Sequence, residues 1–358
     1  MLFNCREPFE IEVIDFENVL VVEGTLTNEM TYQEVKLSRT YALNETQANN
    51  ELNATVWVED NQSNVYVFTG NGQGIYTSNS QFQAKENTIY KLYITTANGK
   101  QYASNETILT PIDELTDLYA ELITTVDNRE GIQVMVNSDN ASGLGKYYRY
   151  EYEETYKIVA PNYYRDSLRI EDYYQLGDGT DGVGFTPYFI PRNGLGQICY
   201  TTKSNIGTIQ TTTTELNDNI ISRFPLRFIA KTDPIIKERY SILVRQYVQS
   251  IEAYTFYKII SELGSVQSIL SQNQPGYVAG NIKSLSNPDE KILGYFETSS
   301  VSSKRIYFNY SDFQIDVPPP YFYECLSITL DFLDNRVQIL IGTKELISIT
   351  SQYLTILY

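Results

Sequence analysis

The segment that decides the fold class spans residues 54–68 and reads ATVWVEDNQSNVYVF. Two runs of β-branched and aromatic residues, at 54–58 and 65–68, flank a polar stretch. In the first run the apolar Val56 and Val58 alternate with their neighbours. This pattern is typical of two short strands joined by a turn. We therefore predict paired strands here, and the same interpretation extends in both directions along the chain.

Similar short runs recur on either side of this segment. The run from Val19 to Val22 predicts a buried strand, and Tyr90, Leu92 and Ile94 share one face of another. Several short strands separated by turns, over about 90 residues, are typical of an immunoglobulin-like fold. The sequence therefore predicts a mainly β protein that has an immunoglobulin-like β-sandwich over residues 18–110.

Beyond Pro111 the alternation continues, so we predict a second, larger β-sandwich-like domain over residues 111–358. The clearest signal is the run of Tyr148, Tyr150 and Tyr152, each separated from the next by a charged residue. Such alternation predicts a strand that has one apolar and one polar face.

Two stretches of this second region depart from the strand pattern. Residues of about 161–196 are rich in Gly, Asp, Asn and Tyr without a clear period, and we expect a long irregular insertion there. Residues of about 250–263 predict one amphipathic helix. Its apolar stripe, which we expect to face the core rather than a ligand, consists of Ala253, Phe256, Tyr257 and Ile260.

Composition narrows the possible functions. The 358 residues include 31 Tyr and 15 Phe, carry a formal net charge of -17 and contain no His. An acidic surface repels phosphate backbones, which argues against nucleic-acid binding. The absence of His excludes Ser–His and Cys–His nucleophilic sites and His-ligated zinc. We therefore expect a protein that is not an enzyme and that has no cofactor and no metal site.

The amino terminus suggests a lipid anchor. Leu2, Phe3 and Asn4 precede Cys5, in the manner of the last residues of a bacterial lipoprotein signal. The alternative is an ordinary cysteine near an unstructured terminus. Residues 1–17 continue with polar and Pro-containing sequence, which we interpret as a tether between a lipidated Cys5 and the first folded domain.

Several segments, taken in order, resemble a known family. They include Cys5 and its polar linker, VVEGTLTN at 21–28, VKLS at 35–38, NATVWV at 53–58, GIY at 74–76, YKLYI at 90–94, YRY at 148–150, EAY at 252–254, QP at 274–275, GNI at 280–282 and LGYF at 293–296. From about Cys5 to about Tyr310 the chain resembles the Bacteroidetes outer-membrane lipoproteins of domain-of-unknown-function family 4249.

The resemblance implies a location and a partner. Members are often encoded beside SusC-like TonB-dependent transporters, so we expect a lipid-anchored outer-membrane protein, facing the cell surface. As an accessory subunit it would bind an outer-membrane β-barrel protein in nutrient uptake or envelope assembly. The family supplies no catalytic residues to assign to this chain.

Once Cys5 is assigned to the anchor, Cys199 and Cys325 remain. An envelope compartment permits disulfides, and an even number of remaining cysteines favours one bond between these two. The alternative is a pair of buried thiols, since free cysteines are common as small apolar core residues.

The Tyr-rich insertion offers a candidate surface for a ligand or a partner. Its aromatic residues have polar neighbours, a combination that suits sugar stacking and protein contacts. The candidates are Tyr163, Tyr164, Tyr173, Tyr174, Tyr188 and Phe189. They support an alternative function as a surface adhesin or carbohydrate-binding module, although tyrosines in strands are more often simply packed.

A third alternative is carboxylate catalysis. Glu151 and Glu153 fall on one face of a predicted strand, about 7 Å apart. A carboxylate pair at such a distance can hydrolyse glycosides. Because any acidic protein offers such pairs, a solvated strand face is the preferred interpretation of these two residues.

Overall fold

Strands make up most of the described structure, as the sequence predicted. This computed structural model describes residues 18–40, 49–139, 144–161, 163, 165–175, 183–194, 196–216, 219–264 and 278–322. In chain order the strands are β1 (Leu20–Thr27), β2 (Glu34–Arg39), β3 (Asn49–Asn50), β4 (Thr55–Asp60), β5 (Val65–Gly70), β6 (Ile75–Ser78), β7 (Ile89–Thr95), β8 (Gln101–Ser104), β9 (Thr107–Ile108), β10 (Leu115–Thr124), β11 (Glu130–Asp139), β12 (Tyr147–Val159), β13 (Asp166–Gln175), β14 (Val183–Pro191), β15 (Ile198–Ser204), β16 (Ile209–Thr212), β17 (Ile220–Ala230), β18 (Tyr240–Gln249), β19 (Ile282–Ser284), β20 (Ile292–Ser299) and β21 (Val301–Phe308). One helix, α1 (Ile251–Gly264), is described, together with two 3-10 turns at Pro234–Ile236 and Tyr310–Phe313.

The first sheet is mixed and nearly closes on itself. Its strands follow the order β19-β8-β7-β4-β5-β6-β2-β1-β20, and the short β3 and β9 pair with β2 and β7. The two end strands, β19 and β20, also lie against each other. Side chains alternate as expected: in β7 Tyr90, Leu92 and Ile94 are buried, while the residues between them are half-exposed. The apolar faces of these strands therefore form one core.

Two strands from late in the chain complete this first sheet. β20 pairs in parallel with β1 over its whole length, from Leu20 opposite Ile292 to Thr27 opposite Ser299. β19 pairs with β8. Residues 18–110 thus share their sheet with residues 282–299, which a prediction from local patterns does not reveal. The division of the chain into domains at residue 110 stays a prediction.

Two antiparallel sheets form a second core. One has the order β10-β11-β17, and the other has the order β15-β12-β18-β21, with β16 also on β12. The alternation predicted for β12 is confirmed on its inner face, where Tyr148 and Tyr150 are fully buried. Its outer face differs from the prediction because Arg149 is also buried there, at 8% exposure. The predicted solvated face is therefore partly covered.

The stretch expected to be an irregular insertion contains a β-hairpin. β13 and β14 pair with each other as a separate two-stranded sheet. Their register shifts between Glu171 and Tyr174. Such a bulge breaks the period-two pattern that sequence analysis looks for. The prediction of irregular structure over about 161–196 was therefore wrong for these two segments.

The predicted helix is confirmed as α1, within one residue of the expected bounds. Ala253 and Phe256 are buried and pack with Tyr295 of β20. Ile260 is 39% exposed, so the core-facing stripe is shorter than predicted. Within the described ranges, no helical segment combines the length and the apolar character that crossing a bilayer requires.

Gly294 provides a test of the parallel pairing between β1 and β20. Its φ is +104°, and a Cβ there would lie 1.9 Å from the carbonyl oxygen of Val22. Gly294→Ala is expected to lose about 1–2 kcal/mol through the left-handed backbone and about 1–3 kcal/mol more through overpacking. The free energy of unfolding in denaturant gives the sum of these two losses. The matched control is Gly72→Ala, since Gly72 has φ +80° with nothing within 4 Å of its Cβ. Equal losses in the two variants would contradict the close approach of the two strands.

Asp60, at the turn between β4 and β5, provides a pH test. Burial alone would raise the pKa of its carboxyl, but hydrogen bonds from Asn64, Gln62 and Tyr66 outweigh burial and hold the pKa below its usual value. The carboxylate therefore stabilises the fold above the unfolded pKa of about 3.9, and this stability is lost as the pH falls further. Asp60→Asn should be less stable than wild type by about 1–2 kcal/mol at pH 7, with a gap that narrows below about pH 4. Unfolding curves at several pH values measure the gap, and a constant gap would contradict the assignment.

Candidate binding cleft

The carboxylate of Glu297 connects the two sheet systems. It lies on β20 and is almost fully buried, with its side chain 4% exposed. Its Oε1 accepts hydrogen bonds from Thr25 Oγ1 at 3.1 Å and from Arg149 Nη2 at 2.8 Å. Its Oε2 accepts one from Gln249 Nε2 at 3.2 Å. The donors come from β1, β12 and β18, so one side chain bonds strands of both cores.

Arg149 lies between two aromatic rings and two carboxylates. Its guanidinium carbon is 4.4 Å from the ring centre of Tyr247 and 5.1 Å from that of Tyr257. Nη1 forms an ion pair with Glu151, and Nη2 forms the pair with Glu297. Burial alone would lower the pKa of Arg149, but the two carboxylates outweigh burial and raise it above its usual value. The group is therefore held as a cation in a largely buried site.

Burial also affects the neighbouring phenols. It raises the pKa of both the Tyr247 and the Tyr257 hydroxyls above the usual range, with nearby carboxylates acting in the same direction. Both hydroxyls consequently stay protonated at neutral pH and can donate hydrogen bonds. Tyr257 belongs to α1, so the helix places a phenol beside the guanidinium.

Two adjoining clefts meet at this cluster. Their volumes are about 360 Å³ and about 550 Å³, which lie within the usual range for ligand sites. They share Arg149, Glu151, Arg245 and Tyr257, and we call the two together the interface groove. One wall comes from β1 and β2, and the other comes from β12 and β18.

The carboxylates that were considered for catalysis both line this groove. Glu151 pairs with Arg149, and Glu153 lies 3.5 Å from Arg305. Both therefore take part in ion pairs along an otherwise polar strand face. Glu154, on the opposite face, is buried with Arg227 at 3.0 Å and the Tyr240 hydroxyl at 2.7 Å. That second cluster belongs to the core between the two antiparallel sheets.

Of the six aromatic candidates, four lie on the two strands of the hairpin and Tyr163 lies just before it. Tyr163 is half-buried, and the Arg192 guanidinium lies 5.8 Å from its ring centre. Tyr173 and Tyr174 lie on β13, at and beside its register shift. Tyr188 and Phe189 lie on β14, opposite Arg169 and Leu168. Tyr164 lies outside the described residues.

The structure describes one of the three cysteines. Cys199 lies on β15 and is exposed. Cys5 and Cys325 lie outside the described residues. Lipidation of Cys5 and a bond between Cys199 and Cys325 therefore stay predictions.

The central residues of the groove escaped prediction as a site. Arg149 looked like one of several charged residues on an outward face, and Tyr257 looked like part of a core-facing stripe. Glu297 had no distinguishing local pattern. The one available signal was Arg149 and Glu151 two residues apart on a strand, which places opposite charges on the same face. The third member, Glu297, follows Glu151 by 146 residues along the chain (297 − 151).

Removing the central cation should destabilise the fold strongly. Arg149→Ala leaves the buried Glu297 without its ion-pair partner, and breaking a buried pair costs about 3–5 kcal/mol. Chemical denaturation measures the loss. Arg245→Ala is the matched control because Arg245 pairs with Glu29 across the same groove at 2.6 Å, with 38% and 31% of the two side chains exposed. That pair should contribute about 1 kcal/mol or less. Similar losses in both variants would contradict the central role of Arg149.

Comparison with known families places this arrangement in context. The model of the family described as Domain of unknown function (DUF4249) matches residues 6–305. No curated protein matches the chain. The match includes Arg149, Glu297 and the strands of both groove walls. Because it also covers most of the sequence, the chain belongs to the DUF4249 family, as its sequence motifs predicted.

Proposed function

We propose that this chain is a non-catalytic outer-membrane lipoprotein, an accessory subunit of a β-barrel complex of the TonB-dependent, SusC-like class. The complex would act in nutrient uptake or in envelope assembly. The observation that carries a binding role is the interface groove, whose larger cleft is polar and lies between the two sheet systems. Binding sites occur preferentially where two such units meet.

The charges in the groove favour binding over acid–base catalysis. Glu151 and Glu153 each form an ion pair with an arginine, Glu151 with Arg149 and Glu153 with Arg305. Both carboxylates act there as charged partners. The groove therefore suits recognition through fixed charges, hydroxyls and aromatic rings.

The membrane location is proposed from the amino terminus and the family. Cys5 lies immediately before residue 6, where the family match begins. A polar tether over residues 6–17 would separate the anchor from β1, which begins at Leu20. Two or more acyl chains would be needed for stable anchoring. We propose that the groove then faces the cell surface beside the β-barrel partner.

At the level of fold, we propose an immunoglobulin-like β-sandwich for residues 18–110 and a β-sandwich-like second domain. In support of the first, β4 pairs with both β5 and β7 around a continuous apolar core. In support of the second, residues of β11, β12 and β18 pack in one cluster between two antiparallel sheets.

The hairpin favours one alternative function, a surface adhesin or carbohydrate-binding module. β13 and β14 pair with each other as a separate sheet and carry four of the six aromatic candidates. Variants at Tyr188 and Phe189 distinguish a site on this hairpin from a site in the groove.

The accessory-subunit proposal predicts the outcome of a gentle-detergent purification from native membranes. The wild-type chain should be recovered in the membrane fraction with an acylated Cys5 peptide and a stoichiometric β-barrel protein, both identified by mass spectrometry. Cys5→Ala should move the chain to the soluble fraction, because the anchor is lost. Cys199→Ala is the matched cysteine control, and it should stay with the membrane. An unmodified Cys5, or a chain recovered without a β-barrel partner, would refute the proposal.

A further inference from the structure

β15 lies at an open edge of the five-stranded sheet. It pairs with β12 over its whole length, from Ile198 opposite Val159 to Ser204 opposite Glu153, without a shift in register. Within the described ranges, no strand pairs with its other side. Six of its seven residues are exposed, among them Ile198 at 47% and Tyr200 at 67%. The strand is therefore accessible both along its backbone and on its side chains.

The hydrogen bonds at the two ends of β15 show which of its backbone groups face outward. The N–H of Asn205 donates to the Tyr152 carbonyl, and the N–H of Ala160 donates to the Gln197 carbonyl, each at 3.0 Å. In an antiparallel pair, residues that bond the neighbouring strand alternate with residues whose N–H and C=O point away from it. Since positions 197 and 205 bond β12 and the register does not shift, the even positions between them point away. The four residues with outward N–H and C=O groups are Ile198, Tyr200, Thr202 and Ser204.

Other strands at sheet edges carry features that hinder the addition of a further strand. β17 contains Pro225 and the left-handed Arg223, and its register with β11 shifts twice. β14 contains Pro187 and Pro191. Proline, bulges and charged side chains are the usual means by which proteins protect such edges. β15 has no proline and no register shift, and Lys203 is its one charged residue. Its edge is therefore open to strand addition.

The charges beside this edge favour one kind of segment. The whole chain has 44 acidic and 27 basic residues, yet β15 contains no acidic residue and one exposed cation, Lys203. The stretch of β12 that pairs with it adds a second cation, Lys157. The same stretch has two carboxylates, but Glu153 already pairs with Arg305, and Glu154 is buried with Arg227. The edge is therefore locally basic in an acidic protein, and a strand that carries carboxylates would be attracted to it.

A second copy of the chain does not have this complementary charge at β15. Two copies paired through β15 would bring together two Lys203 side chains and no carboxylate from either strand. Each copy also has a formal net charge of -17, which opposes their approach. Extended segments of other proteins bind by adding a strand to an exposed sheet edge. We propose that β15 is a docking edge for an extended segment of another protein, with apolar side chains beside Ile198 and Tyr200 and acidic ones beside Lys203.

The docking edge is a different surface from the interface groove. Of the residues of β15, only Ser204 lines the groove. Strand addition at β15 requires neither the lipid anchor nor the β-barrel partner proposed above. Failure of the accessory role would therefore leave the docking edge intact, and failure of the docking edge would leave the accessory role intact.

Thr202 allows the edge to be blocked without disrupting the sheet. Its N–H points away from β12, so Thr202→Pro removes a donor that the sheet does not use, and edge strands tolerate proline at such positions. Thr202→Val is the matched control. Both variants lose the hydroxyl that lies 2.9 Å from Thr155 Oγ1, but only the proline variant loses the outward N–H. Lys203→Glu reverses the charge at an exposed position.

The test selects binders from an unbiased library of short linear peptides on the purified full chain, followed by calorimetric titration with the strongest ones. We expect peptides in which apolar and acidic residues alternate. Thr202→Pro and Lys203→Glu should each weaken their binding by roughly tenfold or more, because a backbone hydrogen bond or a charge attraction is lost. Thr202→Val should leave the dissociation constant unchanged.

Amide hydrogen exchange locates the peptide on the chain. The outward amides of Tyr200 and Thr202 should exchange rapidly in the free chain and slowly in the complex, because the added strand accepts their hydrogen bonds. The amide of Thr201, which bonds β12, should exchange slowly in both states. It should also stay protected in Thr202→Pro, which shows that the sheet of this variant is intact.

Four results would overturn the inference. The first is a library that yields no binding peptide, and the second is peptide binding that Thr202→Pro leaves unchanged. The third is protection of the outward amides in the free chain at every protein concentration, since another segment of the same chain would then cover the edge. The last is protection that grows with protein concentration together with a dimer in sedimentation, since a second copy would then be the occupant.

Discussion

The buried carboxylate of Glu297 is the constraint on which the arrangement of the two cores depends. A carboxylate taken out of water loses several kcal/mol of solvation unless charged and polar partners replace it. Here the replacements come from Thr25, Arg149 and Gln249, on three different strands. These three strands must take up their positions around β20 before the charge of Glu297 is satisfied. The polar contact therefore links the positions of both sheet systems, which apolar contacts alone would allow to slide.

The chain crossings next to this residue reinforce the link. β20 ends at Ser299 in the first sheet, and β21 begins at Val301 in the second. Thr110, where the chain leaves the first sheet in the other direction, donates from Oγ1 to the Val248 carbonyl and accepts from the Ser300 N–H, each at 2.8 Å. Two crossings thus meet at one hydrogen-bonded point. Relative motion of the cores would have to break these bonds together with the Glu297 cluster.

The sequence predicted the features that depend on residues close together along the chain. It missed the features that depend on residues far apart. The alternation of Tyr90, Leu92 and Ile94 located a strand face, and the stripe of Ala253 and Phe256 located the helix, because both follow local periods. The parallel partner of β1 was not predictable, since β20 lies about 270 residues later and parallel strands carry no turn signal. The groove was missed for the same reason. Arg149 is buried only because strands and a helix from elsewhere cover an outward polar face.

The cluster around Arg149 brings fixed charges to the wall of the interface groove. A buried pair contributes little to stability compared with apolar residues of the same volume. At this position two carboxylates hold Nη1 and Nη2, and the guanidinium carbon lies 4.4 Å from the ring centre of Tyr247 and 5.1 Å from that of Tyr257. A guanidinium held by these contacts supports the binding role proposed for the groove, because a preorganised group loses little entropy when a ligand binds.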